Sequence, residues 1–210
     1  MQRGRFITFE GGGGTGKSTQ ARKLAERLEA AGISVIVTRE PGGTVLGEDI
    51  RALILKDRPQ DPLTELLLFA AARAEHMTAV IRPALDDGTW VISDRFIDST
   101  RVYQGKLYGI EPELLASLEK FIVGHDLPTL TLIIDLPAET SMERAHTRGT
   151  LSRYDAARVD THKFLRDGFL EIADAEPERC VLIDGNLPVE SVATAVWQAV
   201  HERLLANVVA

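Results

Sequence analysis

The sequence contains a single cysteine, Cys180, among 210 residues. One thiol excludes a disulfide within the chain, and because it opens an apolar segment we expect it to be buried and unreactive. Long apolar runs are also missing, since none approaches the roughly 20 residues that a helix needs to cross a bilayer. The chain enters a strand-like segment within its first residues, which leaves no room for a signal peptide. We therefore expect a cytoplasmic protein.

Aromatic residues make up only 6 % of the chain, and acidic residues outnumber basic ones by 31 to 24, which gives a formal net charge of −7. A surface that binds nucleic acid requires excess positive charge, so we expect neither nucleic acid nor membrane as a partner. One stretch departs from this acidity. Between Arg144 and Arg166, six basic side chains stand against two acidic ones, and this segment is a candidate clamp for an anion.

Short β-branched or apolar runs alternate with helical patterns along the chain. The runs span 6–10, 34–38, 90–93, 130–135 and 181–184, and the helical patterns span 17–31, 46–56, 62–85, 111–123, 138–147, 158–173 and 189–206. This alternation predicts an α/β fold with a five-stranded parallel sheet covered by helices. No shift in composition divides the chain, so we expect one domain over residues 1–210.

The most informative segment reads FITFEGGGGTGKSTQ, from Phe6 to Gln20. Glycine N–H groups can converge on an anion, the helix start adds its dipole, Lys17 reaches the terminal phosphates, and the Ser18 hydroxyl is a ligand for Mg²⁺. A glycine-rich hairpin is the alternative, but the flanking strand and helix favour an ATP-binding phosphate loop in a three-layer P-loop NTPase fold. The predicted nucleotide-binding residues are Gly11, Gly12, Gly13, Gly14, Thr15, Gly16, Lys17, Ser18 and Thr19.

Further polar residues follow the second and third predicted strands, at the edge of the sheet where ligands collect. Asp94 and Arg95 end the third strand, where the carboxylate can hold Mg²⁺ through water and the guanidinium can grip a phosphate. A structural ion pair is the alternative. Arg51 follows the turn after the second strand and could point toward the same edge, although that turn also fits an ordinary connection between strand and helix.

Phe69 and Arg73 lie four residues apart in a long apolar helix and so share one face. The pair suits a flat heterocycle, with the ring stacking and the guanidinium donating to a carbonyl oxygen, although periodicity alone favours a core role for Phe69. We expect His76 to serve packing or to lie at the surface. Residues 95–105 carry hydroxyls and an amide that could read a base and a sugar, and a helix N-cap at Ser99 is the simpler interpretation.

Five segments in this order resemble bacterial thymidylate kinase, a branch of the P-loop nucleoside monophosphate kinases, from Phe6 to about Asp184. They are FEGGGGTGKSTQ, REPGGT, LLLFAAARAEH, SDRFIDSTRVYQG and an Arg-rich stretch that ends in FLRDGF. The resemblance implies transfer of a phosphoryl group from Mg·ATP to dTMP, giving dTDP and ADP for dTTP synthesis, by a homodimer. It also implies a short lid over about 147–158, from which Arg148 and Arg153 supply positive charge to the transition state.

The same resemblance implies a role for each substrate residue. Phe69 would stack on thymine and Arg73 would bond its O4, while Thr100 and Gln104 would read or support the base edge. Tyr103 would disfavour a ribose 2′-hydroxyl. The implied catalytic residues are Lys17, Arg95, Arg148 and Arg153, and the Mg²⁺ environment is Ser18 and Asp94. The implied substrate-binding residues are Glu10, Pro41, Arg51, Phe69, Arg73, Arg95, Ser99, Thr100, Tyr103 and Gln104.

Three departures from the family pattern stand out. Gly13 replaces the usual Asp or Glu, so an expected carboxylate contact to the sugar 3′-hydroxyl is missing. The lid reads Ser152-Arg153-Tyr154-Asp155 where Asp-Arg-x-Glu is usual. Arg101 replaces a residue that is commonly small.

Two other functions remain open on the sequence alone. A deoxynucleoside kinase would need a carboxylate such as Glu40 as the base for an attacking hydroxyl. A nucleotide-dependent switch would need a partner that reads the bound nucleotide. The local basic stretch favours the monophosphate kinase over the switch, whereas comparing thymidine with dTMP as acceptor would separate the two kinases.

Overall fold

Five parallel strands form the central sheet of the computed structural model, which describes residues 3–56, 61–147, 154 and 157–206. In chain order they are β1 (Phe6–Glu10), β2 (Val35–Arg39), β3 (Trp90–Asp94), β4 (Leu130–Asp135) and β5 (Cys180–Asp184). Across the sheet the order is β2-β3-β1-β4-β5, and each neighbouring pair is parallel. The predicted fold class is confirmed. The single domain stays a prediction.

Helices precede or follow every strand. They are α1 (Lys17–Ala30), α2 (Val45–Ile54), α3 (Pro62–His76), α4 (Arg82–Asp86), α5 (Ile97–Thr100), α6 (Pro112–Ile122), α7 (Ala138–Thr147), α8 (Val159–Ala175) and α9 (Val189–Val200). Within the described residues, π-helical turns join α3 to α4 at Met77–Ile81, extend α5 over Arg101–Leu107 and extend α9 over His201–Leu205. The sequence patterns had not predicted α5 or its extension, because the polar segment shows no apolar period.

Side chains of the strands alternate between two helical layers. Ile7 and Phe9 of β1 point toward α1 and α9 and are fully buried there. Phe6, on the other face, packs in a cluster with residues of α4 and α5. The alternation gives the three layers that the sequence predicted, and burial on both faces explains the nearly continuous apolar runs in the central strands.

A buried ionic network ties α5 to the far half of the sheet. Asp98 is fully buried, and its two oxygens accept bonds from Arg179 at 2.9 and 2.8 Å. Arg179 precedes β5 and also donates to Thr131 on β4. Burial alone would lower the pKa of Arg179, but the hydrogen bonds with Asp98 raise it. Arg179 therefore holds α5, which bears the predicted substrate residues, against β4 and β5.

Arg101 adds a second set of links to this network. It donates to Asp98 at 3.2 Å, to Glu119 of α6 at 2.7 Å and to Glu176 at 2.6 Å. A small residue at this position could make none of these bonds. The departure from the family pattern at Arg101 therefore has a structural explanation, because its guanidinium cross-links three elements around α5.

We expect Arg179→Met to lower the free energy of unfolding by about 3 kcal/mol, because it removes the main partner of a buried carboxylate. Urea unfolding followed by circular dichroism measures the change. Lys23→Met is the matched control, since it breaks an exposed pair with Glu190 and should alter stability by less than about 1 kcal/mol. Equal losses in the two variants would contradict the role given to Arg179.

Candidate active site

The phosphate loop connects β1 to α1 through turns that require glycine. Gly11, Gly14 and Gly16 have φ values of 128°, 75° and 98°. A Cβ at Gly11 or Gly14 would also come within 2.5 or 2.3 Å of a backbone oxygen, so other residues are excluded there. Gly13 does not have a positive φ, and its carbonyl oxygen accepts a hydrogen bond from Ser141. The backbone conformation at Gly13 therefore does not require glycine.

Lys17 and Ser18 are the first two residues of α1, directly after the loop. The Lys17 ammonium donates to the carbonyl oxygens of Gly11, at 3.1 Å, and Gly12, and only 6 % of the residue is exposed. The Ser18 hydroxyl donates to a carboxylate oxygen of Asp94, at the end of β3. The structure thus brings together the hydroxyl and the carboxylate that were predicted to form the Mg²⁺ environment.

Arg95 lies between the phosphate loop and α5. Its φ is 72°, a left-handed conformation that costs a residue with a side chain roughly 1–2 kcal/mol. Ser93 stabilises this turn by donating to the Arg95 carbonyl oxygen. The guanidinium Nη1 donates to the Gly11 carbonyl oxygen at 3.0 Å and to the Ser99 hydroxyl at 2.8 Å, and it lies over the ring of Tyr103. A strained backbone therefore directs the guanidinium toward the phosphate loop.

Glu10 ends β1 and is fully buried. Its carboxylate accepts the backbone N–H groups of Phe96, at 2.8 Å, and Ser99, at 3.2 Å, and it accepts the Ser99 hydroxyl at 2.6 Å. These bonds cap the amino end of α5. Burial raises the pKa of Glu10 to about 7; Asp98 adds to the rise, and Arg95 opposes it. Its contacts give Glu10 the task of holding α5, and direct contact with substrate stays a prediction.

Arg73 of α3 is 6 % exposed and faces α5. Its Nε donates to Glu40 at 2.7 Å, and its Nη2 donates to the Phe96 carbonyl oxygen and to the Thr100 hydroxyl. Glu40 also lies 3.1 Å from Nδ1 of His76, which is buried and not at the surface. Both carboxylate oxygens of Glu40 are therefore engaged, which argues against its use as the base of a deoxynucleoside kinase.

Arg51 of α2 lies beside the turn that follows β2. Its Nη1 donates to the Pro41 carbonyl oxygen at 2.8 Å. Burial and the charge of Arg39 lower the pKa of Arg51, while the nearby charges of Glu48 and Asp94 oppose this shift. The bond to Pro41 places the Arg51 guanidinium beside the turn that follows the end of β2.

Comparison with known proteins shows the family of the chain. The family model described as thymidylate kinase matches residues 9–196. The chain belongs to the thymidylate kinase family. It is 50 % identical over 209 residues to the thymidylate kinase of Nitrobacter winogradskyi, covering 97 % of this chain and 91 % of that protein. It is 49 % identical over 206 residues to that of Caulobacter vibrioides, covering 97 % and 99 %.

A solved structure shows the same architecture. The crystal structure of thymidylate kinase from Ehrlichia chaffeensis matches with a TM-score of 0.79 at 36 % identity, covering 94 % of this chain and 99 % of that one. The family resemblance and the P-loop fold predicted from the sequence are confirmed, and the chain is an enzyme of the nucleoside monophosphate kinase class.

The structure brings most of the residues expected for a thymidylate kinase to one edge of the sheet, although no comparison tests their individual roles. Phe69 is half-buried and packs on Ile50 and Ile54, so a core contact and an accessible surface coexist in one ring. Arg148 and Arg153 lie outside the described residues, as does most of the predicted lid over about 147–158. The described residues of this site are Glu10, the loop from Gly11 to Thr19, Pro41, Arg51, Phe69, Arg73, Asp94, Arg95, Ser99, Thr100, Tyr103 and Gln104.

Three of the four basic side chains that the structure describes in the basic stretch bond to other protein groups, and the side chain of the fourth, Arg158, is 89 % exposed and lies 3.9 Å from Asp160. Arg144 donates to a backbone carbonyl oxygen, Arg166 makes a bidentate pair with Asp135, and Lys163 pairs with Glu139. These contacts do not support an anion clamp formed by the whole stretch. Cys180, as expected, is buried, and burial raises the pKa of its thiol to about 11.

The sequence patterns did not point to two of the buried acids behind the site, Glu65 and Asp98, and they considered Glu40 only as a candidate base and not as a partner of Arg73. Glu40, Glu65 and Asp98 each bond a residue of the α3–α5 region. Glu65 had a readable signal, because a charged residue stands four positions before Phe69 in an apolar helix. Asp98 and Arg179 are 81 residues apart in sequence, and no local pattern connects them.

Among the described residues, no helix is long and apolar enough to cross a membrane.

Proposed function

We propose that the enzyme performs the reaction of its family at this edge of the sheet, by transferring the γ-phosphoryl group of ATP to dTMP to give dTDP and ADP. The observation that carries the proposal is a shared hydrogen-bond acceptor. Lys17 Nζ and Arg95 Nη1 approach the same Gly11 carbonyl oxygen, at 3.1 and 3.0 Å. The cation of the phosphate loop and the cation beside the substrate helix thus meet at one point, where two phosphates would have to be joined.

Charge neutralisation is the main requirement of this reaction. Two unit charges about 4 Å apart repel by roughly 4 kcal/mol at an effective dielectric constant near 20. Lys17 and Arg95 offset this repulsion. Arg148 and Arg153 are proposed to contribute further positive charge from the lid. An anionic phosphate oxygen is also a stronger acceptor for both cations than a neutral carbonyl oxygen.

The chemical step needs no general base. The attacking 5′-phosphate oxygen is already ionised, and a bond from it to the γ-phosphorus forms as the bond from that phosphorus to the bridging oxygen of ADP breaks. Positioning and electrostatic stabilisation then account for catalysis. This agrees with a site in which Glu40 is committed to Arg73 and His76.

The residues at the end of β3 fit Mg²⁺ as the companion of ATP. Ser18 and Asp94 offer oxygen ligands in mutual contact. One hydroxyl and one carboxylate suit an ion that keeps several waters and binds mainly through phosphates. When bound, Mg²⁺ neutralises phosphate charge.

On the acceptor side, we propose that Phe69 stacks on thymine and that Arg73 donates to its O4. Glu40 fixes the Arg73 guanidinium from behind through a 2.7 Å bond. Ser99, Thr100, Tyr103 and Gln104 line the opposing helix. Glu10 and Pro41 support this wall and the position of Arg51 through the contacts described above.

We further propose a cytoplasmic homodimer. Helix α3 packs against α2 and also against α6. Each of the three helices leaves large apolar side chains exposed. Phe121 of α6 is 91 % exposed and Leu67 of α3 is 51 % exposed, and α6 has no buried residue at all. An amphipathic helix without a buried face is typical of a subunit interface.

An assay with product identification tests the reaction. ATP with dTMP should yield dTDP, and thymidine should be a much poorer acceptor, because the site offers no base for a hydroxyl. Lys17→Ala should lower kcat by at least about a hundredfold, since it removes charge from the transition state, with little change in melting temperature. Faster turnover of thymidine, or near-normal kcat in the variant, would refute the proposal.

We expect Gly13→Glu to lower KM for dTMP by roughly threefold to tenfold, because it supplies a carboxylate that can bond the sugar 3′-hydroxyl. The backbone conformation there does not require glycine, and KM for ATP should change little. Steady-state kinetics with each substrate varied in turn separate the two effects. Gly11→Glu is the control that should fail to bind ATP, because its φ of 128° admits only glycine.

Sedimentation velocity tests the dimer. Leu67→Glu should shift the enzyme toward monomer, because it places a charge in the exposed apolar surface of α3. Val189→Glu, which alters a half-exposed apolar residue on α9, should leave the dimer intact. A monomeric parent protein at micromolar concentration would overturn the proposed assembly.

A further inference from the structure

Helices α3 and α5 face each other through two hydrogen-bonded cross-links. Arg73 donates to the Thr100 hydroxyl at 3.0 Å, and Gln104 Nε2 donates to Glu65 Oε1 at 2.7 Å. Glu65, Phe69 and Arg73 occupy successive turns of one face of α3, and Thr100 and Gln104 are one turn apart on α5 and its extension. The proposed stacking ring, Phe69, therefore lies one turn from each cross-link.

The Glu65 link fixes the orientation of the Gln104 amide. Glu65 Oε1 accepts from Gln104 Nε2, so the amide turns its N–H₂ group toward Glu65 and its oxygen Oε1 away from it. Both residues are 1 % exposed, and water therefore offers little competition for this bond. Reversing the amide would place two acceptors in contact in a buried setting.

Tyr154 strengthens this constraint. Its hydroxyl donates to the same oxygen of Glu65 at 2.7 Å, and its ring makes an edge-to-face contact with Tyr103, 5.2 Å between centres. With two donors on one oxygen, the Glu65 side chain is held in place between α5 and residue 154. Gln104 then meets a fixed acceptor and not a flexible one.

We propose that Glu65 is a positioning residue that sets base specificity, because it presents the acceptor oxygen of Gln104, together with the donors of Arg73, to the pyrimidine edge. That pattern matches a base with an N3–H donor and an O4 acceptor, as in thymine and uracil. It opposes a 4-aminopyrimidine, whose N3 is an acceptor and whose exocyclic group is a donor. This inference rests on the proposed function, since it assumes that the base lies on Phe69.

The primary test is Glu65→Gln. Glutamine keeps the shape but carries both a donor and an acceptor, so the Gln104 amide can adopt either orientation. We expect KM for dTMP to rise by about tenfold, and KM for dUMP to rise in parallel, because the two bases share the same imide edge. KM for ATP should stay within about twofold. The Ki of dCMP, measured as a competitor of dTMP, should fall relative to the KM of dTMP.

A second variant separates orientation from packing. In the double variant Glu65→Gln/Gln104→Glu, the amide at position 65 can donate to the carboxylate at position 104, which can present only acceptors to the base. We expect KM for dTMP in the double variant to be at least about threefold lower than in Glu65→Gln. A purely structural role for Glu65 predicts further loss in the double variant.

Glu75→Gln is the matched control, because it removes a carboxylate from the same helix outside the α3–α5 cross-links. It should leave all kinetic constants near those of the parent enzyme. Unchanged KM for dTMP in Glu65→Gln, or an equal rise for ATP and dTMP, would overturn the role of Glu65. Failure of the parent enzyme to phosphorylate dTMP would instead refute the proposed function, so the two failures are distinguishable.

Discussion

The buried carboxylate of Glu10 fixes the relation between the two halves of the site. It ends the central strand β1, whose next residues form the phosphate loop, and it caps α5 through the N–H groups of Phe96 and Ser99. The Ser99 hydroxyl, bonded to Glu10, in turn accepts from Arg95. A displacement of α5 would therefore break bonds to a carboxylate that burial has removed from water, which is costly. The phosphate loop, predicted to bind ATP, and α5, predicted to bind the acceptor, therefore keep a fixed relative position.

The same design recurs around the proposed acceptor pocket, where buried acids hold the groups that are proposed to face substrate. Glu40 orients Arg73, Glu65 orients Gln104, and Asp98 anchors α5 through Arg179. The enzyme acts on two anionic substrates, yet its formal net charge is −7. The positions of these acids explain how negative charge can serve such a site. These acids lie behind the site and accept hydrogen bonds from particular donors. They therefore make the site rigid, whereas unpaired negative charge at the same place would repel the anionic substrates.

The sequence was sufficient for the fold and for the residues that carry local motifs. Strand and helix periods located all five strands within one residue, and α1 begins at Lys17, as the pattern after the glycine-rich loop predicts. Helix α5 escaped prediction because its burial depends on tertiary contacts of Ile97 and Val102, not on an amphipathic period. The left-handed backbone of Arg95 and the pair between Asp98 and Arg179 are products of long-range packing, and no window of sequence contains both partners.

The contacts of Glu40 also constrain which chemistry the site can perform. A hydroxyl acceptor would require a carboxylate able to take a proton, but the Glu40 oxygens are bonded to Arg73 and lie 3.1 Å from His76. Arg73 is the residue proposed to bind thymine, and protonating Glu40 would weaken the bond that holds it. Recognition of thymine would therefore decline each time Glu40 took a proton as the general base. A phosphate acceptor avoids this conflict because its nucleophilic oxygen is already ionised. The arrangement that orients Arg73 thereby favours a nucleoside monophosphate over a nucleoside.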